Sequence, residues 1–419
     1  MLNISGASGD AAAINALMAG AGNGALILAD GNLGLNGSLA LGEGQALLGG
    51  GGTLALRGTS SGGRGMFTNR GAATTLTGYN PAQDVVAMAS GSMISSLAIT
   101  GGLAGIGSTD TSGLVIDTVD ISRTAHDGIR LTRVDGATVE NSAIHDLHIC
   151  THNTTCEFAV GDPNRAPYAA ISAHGTKNLT VRDTTIDSVT YGIFAGSAID
   201  DSGWPPVITD LASNIVIDNV TISRSRREGI LLVAADGVTM NKVTIDNTKQ
   251  DRDMDLVVLQ ATSNVRITDM SLKGGINGLM LVTASTLEDV GQTTNVSVDG
   301  LKIDGPTNAG IFFNPVSGID LKNVTITNAG TYGMFLYGSD WTGPVADISF
   351  ENVVIDNARQ AGIYLMGPLE DLSGDVTVKN TPRDCETNPW LGSSITQPGG
   401  SVFFVNGQEL GASTLARCN

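Results

Sequence analysis

Four of the five histidines, His145, His148, His152 and His174, fall within a span of thirty residues. The fifth, His126, opens the run His126-Asp127-Gly128-Ile129-Arg130. Imidazole is the side chain that gains and loses a proton near neutral pH. A guanidinium offers a planar fork of donors that matches a carboxylate. Together they can neutralise a sugar acid and move a proton, which is what eliminative cleavage of an acidic polysaccharide needs. On this reasoning His174 is the candidate base and Arg130 the candidate charge neutraliser, with His126 and Asp127 beside them. Arg227 and Glu228 form a second candidate set further along, followed by Asp251, Arg252, Asp253 and Asp255. The competing reading is a solvated surface on which Arg130 and Glu228 form exposed ion pairs that contribute little.

The segment His148-Ile149-Cys150-Thr151-His152 puts two imidazoles and a thiol on one face if it is extended, with Cys156 close behind. Tetrahedral zinc accepts such ligands, but no established zinc spacing is matched. The four cysteines instead divide into two local pairs, Cys150 with Cys156 and Cys385 with Cys418. Local pairs in even number predict two disulfides, and hence an oxidising compartment: the cell exterior, the cell surface or the periplasm. No metal and no cofactor is expected. Asn153, Asn178 and Asn323 begin glycosylation sequons, but the last two fall where Asn and Thr recur anyway.

These residues are positioned by a repeat. From about residue 95 a block with apolar residues at its first, third and eighth places returns as Leu179–Ile186, Ile215–Ile222, Val238–Ile245, Val265–Leu272, Val296–Ile303, Ile319–Ile326 and Ile348–Ile355. A second block, a glycine and then an inward apolar residue, follows at Gly192, Gly229, Gly278, Gly310, Gly333 and Gly362. Gly310 to Gly333 is 23 residues, and Asp255 to Gly278 is again 23 if Asp255 stands in for a glycine. That period is too short for helix-pair repeats and fits three short strands per turn. Glycine is abundant at 55 residues and aromatics are only 4%, so the core must be filled by small and β-branched side chains. The predicted fold is all-β, a three-sided right-handed parallel β-helix. Residues 1–23 are expected to form a helical cap over the first coil, 24–380 the coils, and 381–419 a C-terminal cap stapled by Cys385 and Cys418. Insertions are expected at about 149–166, 197–211, 283–293 and 338–345. Asp and Asn at Asp183, Asp218, Asp269, Asn323 and Asn352 are expected to turn one corner. Aligning the coils puts Arg130 and Thr132 on an outer face, with Ser172 and His174 one coil away.

The same alignment predicts a column of outward apolar residues: Phe194, Leu231, Val257, Met280, Phe312, Phe335 and Tyr364. Val233, Leu259, Val282, Tyr337 and Met366 form a second column beside it. Solvated strands normally alternate apolar with polar, so this stripe needs a cover. The chain's own insertions are the expected cover, which makes the protein a monomer, with a trimer as the alternative.

A formal net charge of −18 argues against nucleic acid and anionic membranes as partners. No run is long and apolar enough for a transmembrane helix, and residues 1–20 lack the basic start of a signal peptide. Export would therefore rest on a targeting segment outside this sequence.

The runs Ala25–Gly31, Leu41–Gly51, Asp84–Met88, Ser95–Gly102 and His126–Leu131 resemble the β-helical passenger domains of autotransporter-type bacterial surface proteins. The stretch Asp10–Leu56 is similar to the helix cap and first coil of the pectate-lyase-like superfamily, whose members cut or epimerise acidic polysaccharides. The chain departs from that superfamily in lacking Asn-Thr-Asp, Gly-His-Gly, Arg-Ile-Lys and Asp-Pro-His-Asp. The passenger resemblance implies a surface-displayed domain for adhesion or glycan binding. The lyase resemblance implies a secreted enzyme that works on an acidic glycan in a groove along the coils. A phage-spike-like trimeric glycan binder is a third reading.

Overall fold

A computed structural model describes residues 1–5, 9–57, 64–149, 168–200, 207–248, 254–284, 291–388, 393–397 and 400–418. Parallel strands make up most of it, with one α-helix, Ala11–Ala21, among the described residues. The chain divides into two compact units, the first holding the described residues up to Thr190 and the second those from Tyr191 onward.

In the first unit one face stacks Leu2–Asn3, Leu26–Leu28, Ala46–Leu48, Met93–Gly101 and Ser112–Ser122 in parallel register. Asp135–Glu140 and Ala143–His145 continue it, and Lys177–Val189 follows. A second face stacks Leu39–Ala40, Val86–Ala87, Ile106–Thr109, Ile129–Thr132 and Ala169–His174. The helix forms because Asp10 caps it, its Oδ1 accepting from the Ala12 and Ala13 amides at 3.0 and 3.3 Å. It buries Ala11, Ile14 and Met18, and Asn15 bonds the backbone at Ser38 and Ala40. The helix thus satisfies part of a strand edge that would otherwise be open. An antiparallel hairpin, Thr53–Arg57 with Arg64–Thr68, interrupts the repeat.

The second unit repeats the plan. One face runs from Ala212–Ser225 through Ala235–Asn241, Ser263–Lys273, Thr293–Asp304, Val316–Thr327 and Val345–Asp356 to Ala361–Lys379. The other runs from Tyr191–Gly196 through Ile230–Val233, Val257–Gln260, Leu279–Val282, Ala309–Phe313 and Tyr332–Tyr337 to the start of Ala361–Lys379. Parallel pairing runs on past Asn380, through Cys385–Thr387, Ser393–Thr396 and Phe403–Val405. The segment expected to be only a cap is therefore partly coil. Cys385 and Cys418 are joined by a disulfide, with their Cα atoms 4.8 Å apart. Cys150 and Cys156 lie outside the described residues.

The inward ladder of the second unit is Ile193, Ile230, Val257, Leu279, Ile311, Met334 and Ile363, all without solvent exposure. The glycine before it answers a close approach. A Cβ on Gly310 would sit 2.4 Å from Ile326 Cγ2 and 2.7 Å from the Gly333 carbonyl oxygen. At the opposite corner Asp183, Asn219, Asp269, Asn323 and Asn352 take positive φ. Asn219 holds the place expected of Asp218. The corner amides also chain together: Asn352 Nδ2 donates to Asn323 Oδ1 at 2.7 Å, and Asn323 Nδ2 to Asp299 Oδ1 at 2.7 Å. Asn178 likewise donates to Asp135 at 2.6 Å, so the amide nitrogens of both described sequons are already bonded. No described helix is long and apolar enough to cross a membrane.

Two outward columns follow from these registers, with two corrections. Phe194, Leu231, Val258, Met280, Phe312, Phe335 and Tyr364 share one row. Val257 stands opposite Ile230 and Leu279 in the inward ladder, so Val258 has the outward place. Leu259 is inward too, and Gln260 stands between Val233 and Val282. The cause is Leu256, which replaces the corner glycine and shifts the pattern by one residue from the Asp255 alignment.

Candidate functional site

The second face of the first unit brings the candidate groups together. Arg130 stands in register between Gly107 and Ser172, and Thr132 between Thr109 and His174. All six are outward places, since Ile129 and Leu131, which alternate with Arg130 and Thr132, are fully buried. The corner before this strand supplies His126 and Asp127.

Asp127 has no solvent exposure and divides its two oxygens. Oδ1 accepts from the Ala169 amide at 3.0 Å, tying one coil to the next, and Oδ2 lies 2.8 Å from His126 Nδ1. The buried carboxylate at Nδ1 fixes the orientation of the imidazole ring and leaves Nε2 as the nitrogen it does not engage. The His126 ring stacks on Tyr168 at a centroid distance of 3.8 Å, and His148 is tilted on Tyr168's ring at 6.4 Å. Burial pushes the His174 imidazole down to about 4, opposed by the Asp127 charge and helped by that of Arg130. His174 is therefore uncharged at neutral pH. Ser172 Oγ is buried with no hydrogen-bond partner among the described residues.

Arg130 is already engaged. Its Nη2 donates to both Asp84 oxygens at 2.9 Å. The pair spans the coil that carries Gly107, and a Cβ there would sit 1.9 Å from Asp84 Oδ2. The Asp84 carboxylate thus offsets the guanidinium charge within the protein, while Nε and Nη1 have no hydrogen bond among the described residues.

Sequence reasoning missed Asp84 and Tyr168. A signal for Asp84 existed: it lies two places before an inward residue, as do Asp127, Glu228, Asp255 and Asn277. Elsewhere in that row the oxygens tie coils together, as where Asp255 Oδ1 accepts from Asn277 N at 3.1 Å and Nδ2 at 2.7 Å. Burial raises the Asp255 carboxyl against those bonds. Arg227 and Glu228 belong to the second unit, where Arg227 Nη1 lies 4.0 Å from Met254 Sδ and the Glu228 carbonyl accepts from Gly192. His145 sits on the other face, between Asp120 at 2.8 Å and Asp146 at 2.9 Å, and these raise its pKa. His152 and residues 251–253 lie outside the described residues. No cluster of three or more metal-ligating side chains occurs among the described residues.

Residues 69–303, more than half of the chain, match the family described as the right-handed beta helix region. The chain belongs to that family. Among solved structures, this β-helix is similar to the A-module of mannuronan C-5 epimerase AlgE6 from Azotobacter vinelandii, with a TM-score of 0.56 and 12% identity over 97% of this chain and 99% of that one. The catalytic domain of a GH87 α-1,3-glucanase in complex with nigerose gives 0.52 and 14% over 97% and 68%. The Streptococcus pneumoniae surface protein and adhesin PfbA gives 0.50 and 12% over 94% and 95%. At such identities the likeness is one of fold. No curated protein matches the sequence.

Proposed function

We propose that this β-helix binds an acidic polysaccharide on the outward face of its first unit and cleaves it by proton transfer at His126. The observation that carries the reading is the buried Asp127 against His126 Nδ1 at 2.8 Å, in a coil corner where a solvated His would need no such partner. In an eliminative step His126 Nε2 takes the proton from the carbon beside the uronate carboxyl. The electron pair forms the ring double bond, the bond to the glycosidic oxygen breaks, and that oxygen takes a proton from Tyr168. The free Nε and Nη1 of Arg130 face the uronate carboxylate. His174, kept neutral, stands one coil from Thr132 and adds no charge to this face. Carbohydrate-active β-helices among the structural neighbours make a glycan the fitting partner. The Cys385–Cys418 bond suits an exported protein.

A second reading keeps the glycan and drops the chemistry: a surface-displayed adhesin, monomeric or trimeric, as in the passenger-type proteins. The Asp84–Arg130 pair favours it, because a partly neutralised arginine is a weaker charge neutraliser. Incubation with alginate, pectate and glycosaminoglycans distinguishes the two. New ultraviolet absorbance from unsaturated ends supports elimination, and new reducing ends without it support hydrolysis. Binding with neither product leaves the adhesin.

A further inference from the structure

The corner of the first unit that precedes His126 opens into a groove of about 490 Å³. Tyr79, Arg123, Thr124, Asp146 and His148 line it, with Gly101 and Gly102 at its floor. Both glycines have positive φ, 77° and 72°, and a Cβ on Gly102 would meet the buried Val85 Cγ2 at 2.6 Å, so neither place readily takes a side chain.

Arg123 is exposed, and its guanidinium has no ion pair or hydrogen bond among the described residues. Three arginines nearby in sequence are paired instead: Arg130 with Asp84, Arg133 with Asp110 and Arg182 with Glu140. Only the Arg123 backbone amide is committed, to the Asp146 carbonyl at 3.2 Å. The Asp146 carboxylate beside it is held by His145 at 2.9 Å. In a chain of net charge −18 the groove therefore presents an unneutralised cation.

Tyr79 stands at its rim, 70% exposed. The ring rests on the backbone at Gly34, where a Cβ would lie 2.6 Å from Cε2, so its position is set by packing. Thr124 supplies the observation that points to a ligand. It is 1% exposed and lines the groove, yet its Oγ1 has no hydrogen-bond partner among the described residues. A buried hydroxyl left unbonded is costly, and a ligand oxygen would satisfy it. His148 also lines the groove, and it reaches His126 through the shared neighbour Tyr168.

We propose that this groove is a subsite for one uronate ring. Arg123 takes the carboxylate, the Tyr79 face takes the apolar face of the pyranose, and Thr124 bonds a ring oxygen or hydroxyl. The proposal rests on the acidic-polysaccharide reading, and it names where the next sugar of that chain lies relative to His126.

The test is calorimetric titration with short oligogalacturonates and oligomannuronates, with a malto-oligosaccharide of equal length as the neutral control. Wild type should prefer the uronates. Arg123→Gln should weaken uronate binding by about tenfold or more, the scale of a charge-assisted pair, with Arg123→Lys restoring part of it. Thr124→Val should weaken binding severalfold while the melting temperature holds or rises, because the hydroxyl has no bond to lose. A preference that survives Arg123→Gln, or a wild type that does not distinguish uronate from neutral sugar, overturns the subsite. His126→Ala separates the two ideas. Uronate binding lost with Arg123→Gln, but with no cleavage by wild type, keeps the subsite and removes the chemistry. Cleavage that needs His126 but has the same KM in Arg123→Gln keeps the chemistry and removes the subsite.

Discussion

Asp84 and Arg130 stand 46 positions apart in sequence and meet at 2.9 Å because the coil between them presents Gly107. Gly107→Ala places a methyl where Asp84 Oδ2 now lies, so the pair must separate. Overpacking of this kind costs about 1–3 kcal/mol, more than the ~1 kcal/mol a partly exposed ion pair contributes. Asp84→Asn should cost less than Gly107→Ala and should tighten acidic-glycan binding by releasing Arg130. Denaturant midpoints and glycan titration read both effects. Equal stability of Gly107→Ala and wild type would show that the strand shifts freely, and the account of the pair would fail.

Asp127 joins a structural and a chemical role in one side chain. In Asp127→Asn the amide oxygen can still accept from Ala169, so the coil tie survives in part. The charge against His126 Nδ1 does not survive. If His126 moves the proton, turnover should fall by about 10²–10⁴ while stability falls far less. Asp127→Asn with full turnover on a cleaved glycan would sink His126 as the base.

Much of this arrangement is legible in the sequence because a solenoid turns register into arithmetic. Inward Ile129 and Ile171 alone put Arg130 beside Ser172 and Thr132 beside His174. The arithmetic fails where a coil lacks its glycine: Leu256 takes that place, and the stripe slips from Val258 to Val257. It also fails for contacts that skip a coil. Asp84 reaches Arg130 over Gly107, and no single repeat contains both residues. Tyr168 lies just before the strand Ala169–His174, in a stretch of sequence that lacks the repeat and so gives its place no register. The hairpin Thr53–Arg57 with Arg64–Thr68 leaves no mark in the repeat because its strands pair with each other.

His174 gives the first unit a pH-dependent stability of definite sign. Its pKa is about 4 when folded, against an ordinary 6.5, so between these values the unfolded chain binds the proton that the folded one refuses. Stability is therefore full above about 6.5, falls as pH drops toward 4, and loses no more on this account below it. Urea unfolding across that window, compared with His174→Gln, should show the slope in wild type and a shallower one in the variant. Identical slopes would mean that His174 protonates normally in the fold.

The Cys385–Cys418 bond closes a separation of 33 residues around strands that still pair in parallel. Loop-closure entropy puts its stabilisation at about 3–4 kcal/mol. Cys385→Ser with Cys418→Ser should lower the thermal midpoint and speed hydrogen exchange first in Phe403–Val405, while the first unit keeps its protection. Uniform loss of protection along the whole chain would show instead that the end of the second unit is not a separately opening element.

The outward apolar row makes a claim about association. Phe312 and Phe335 meet edge to face at 4.9 Å, and Phe335 and Tyr364 at 4.8 Å, while Tyr332 stacks on Tyr364 at 4.6 Å. Phe194, Leu231 and Val258 in the same row are buried, and Met280, Phe312, Phe335 and Tyr364 are half-buried. Half-burial with mutual ring contacts is how a monomer disposes of aromatic surface without a partner, since each ring shields its neighbours above and below. We therefore expect a monomer in which Phe312→Asp breaks the stack from within. It should cost about 2–4 kcal/mol, in the range of a large core truncation, and leave the mass in solution unchanged. Light scattering with thermal unfolding measures both. A wild-type dimer or trimer that Phe312→Asp dissolves while the fold survives would make the row an interface, and the self-contained stack would be wrong.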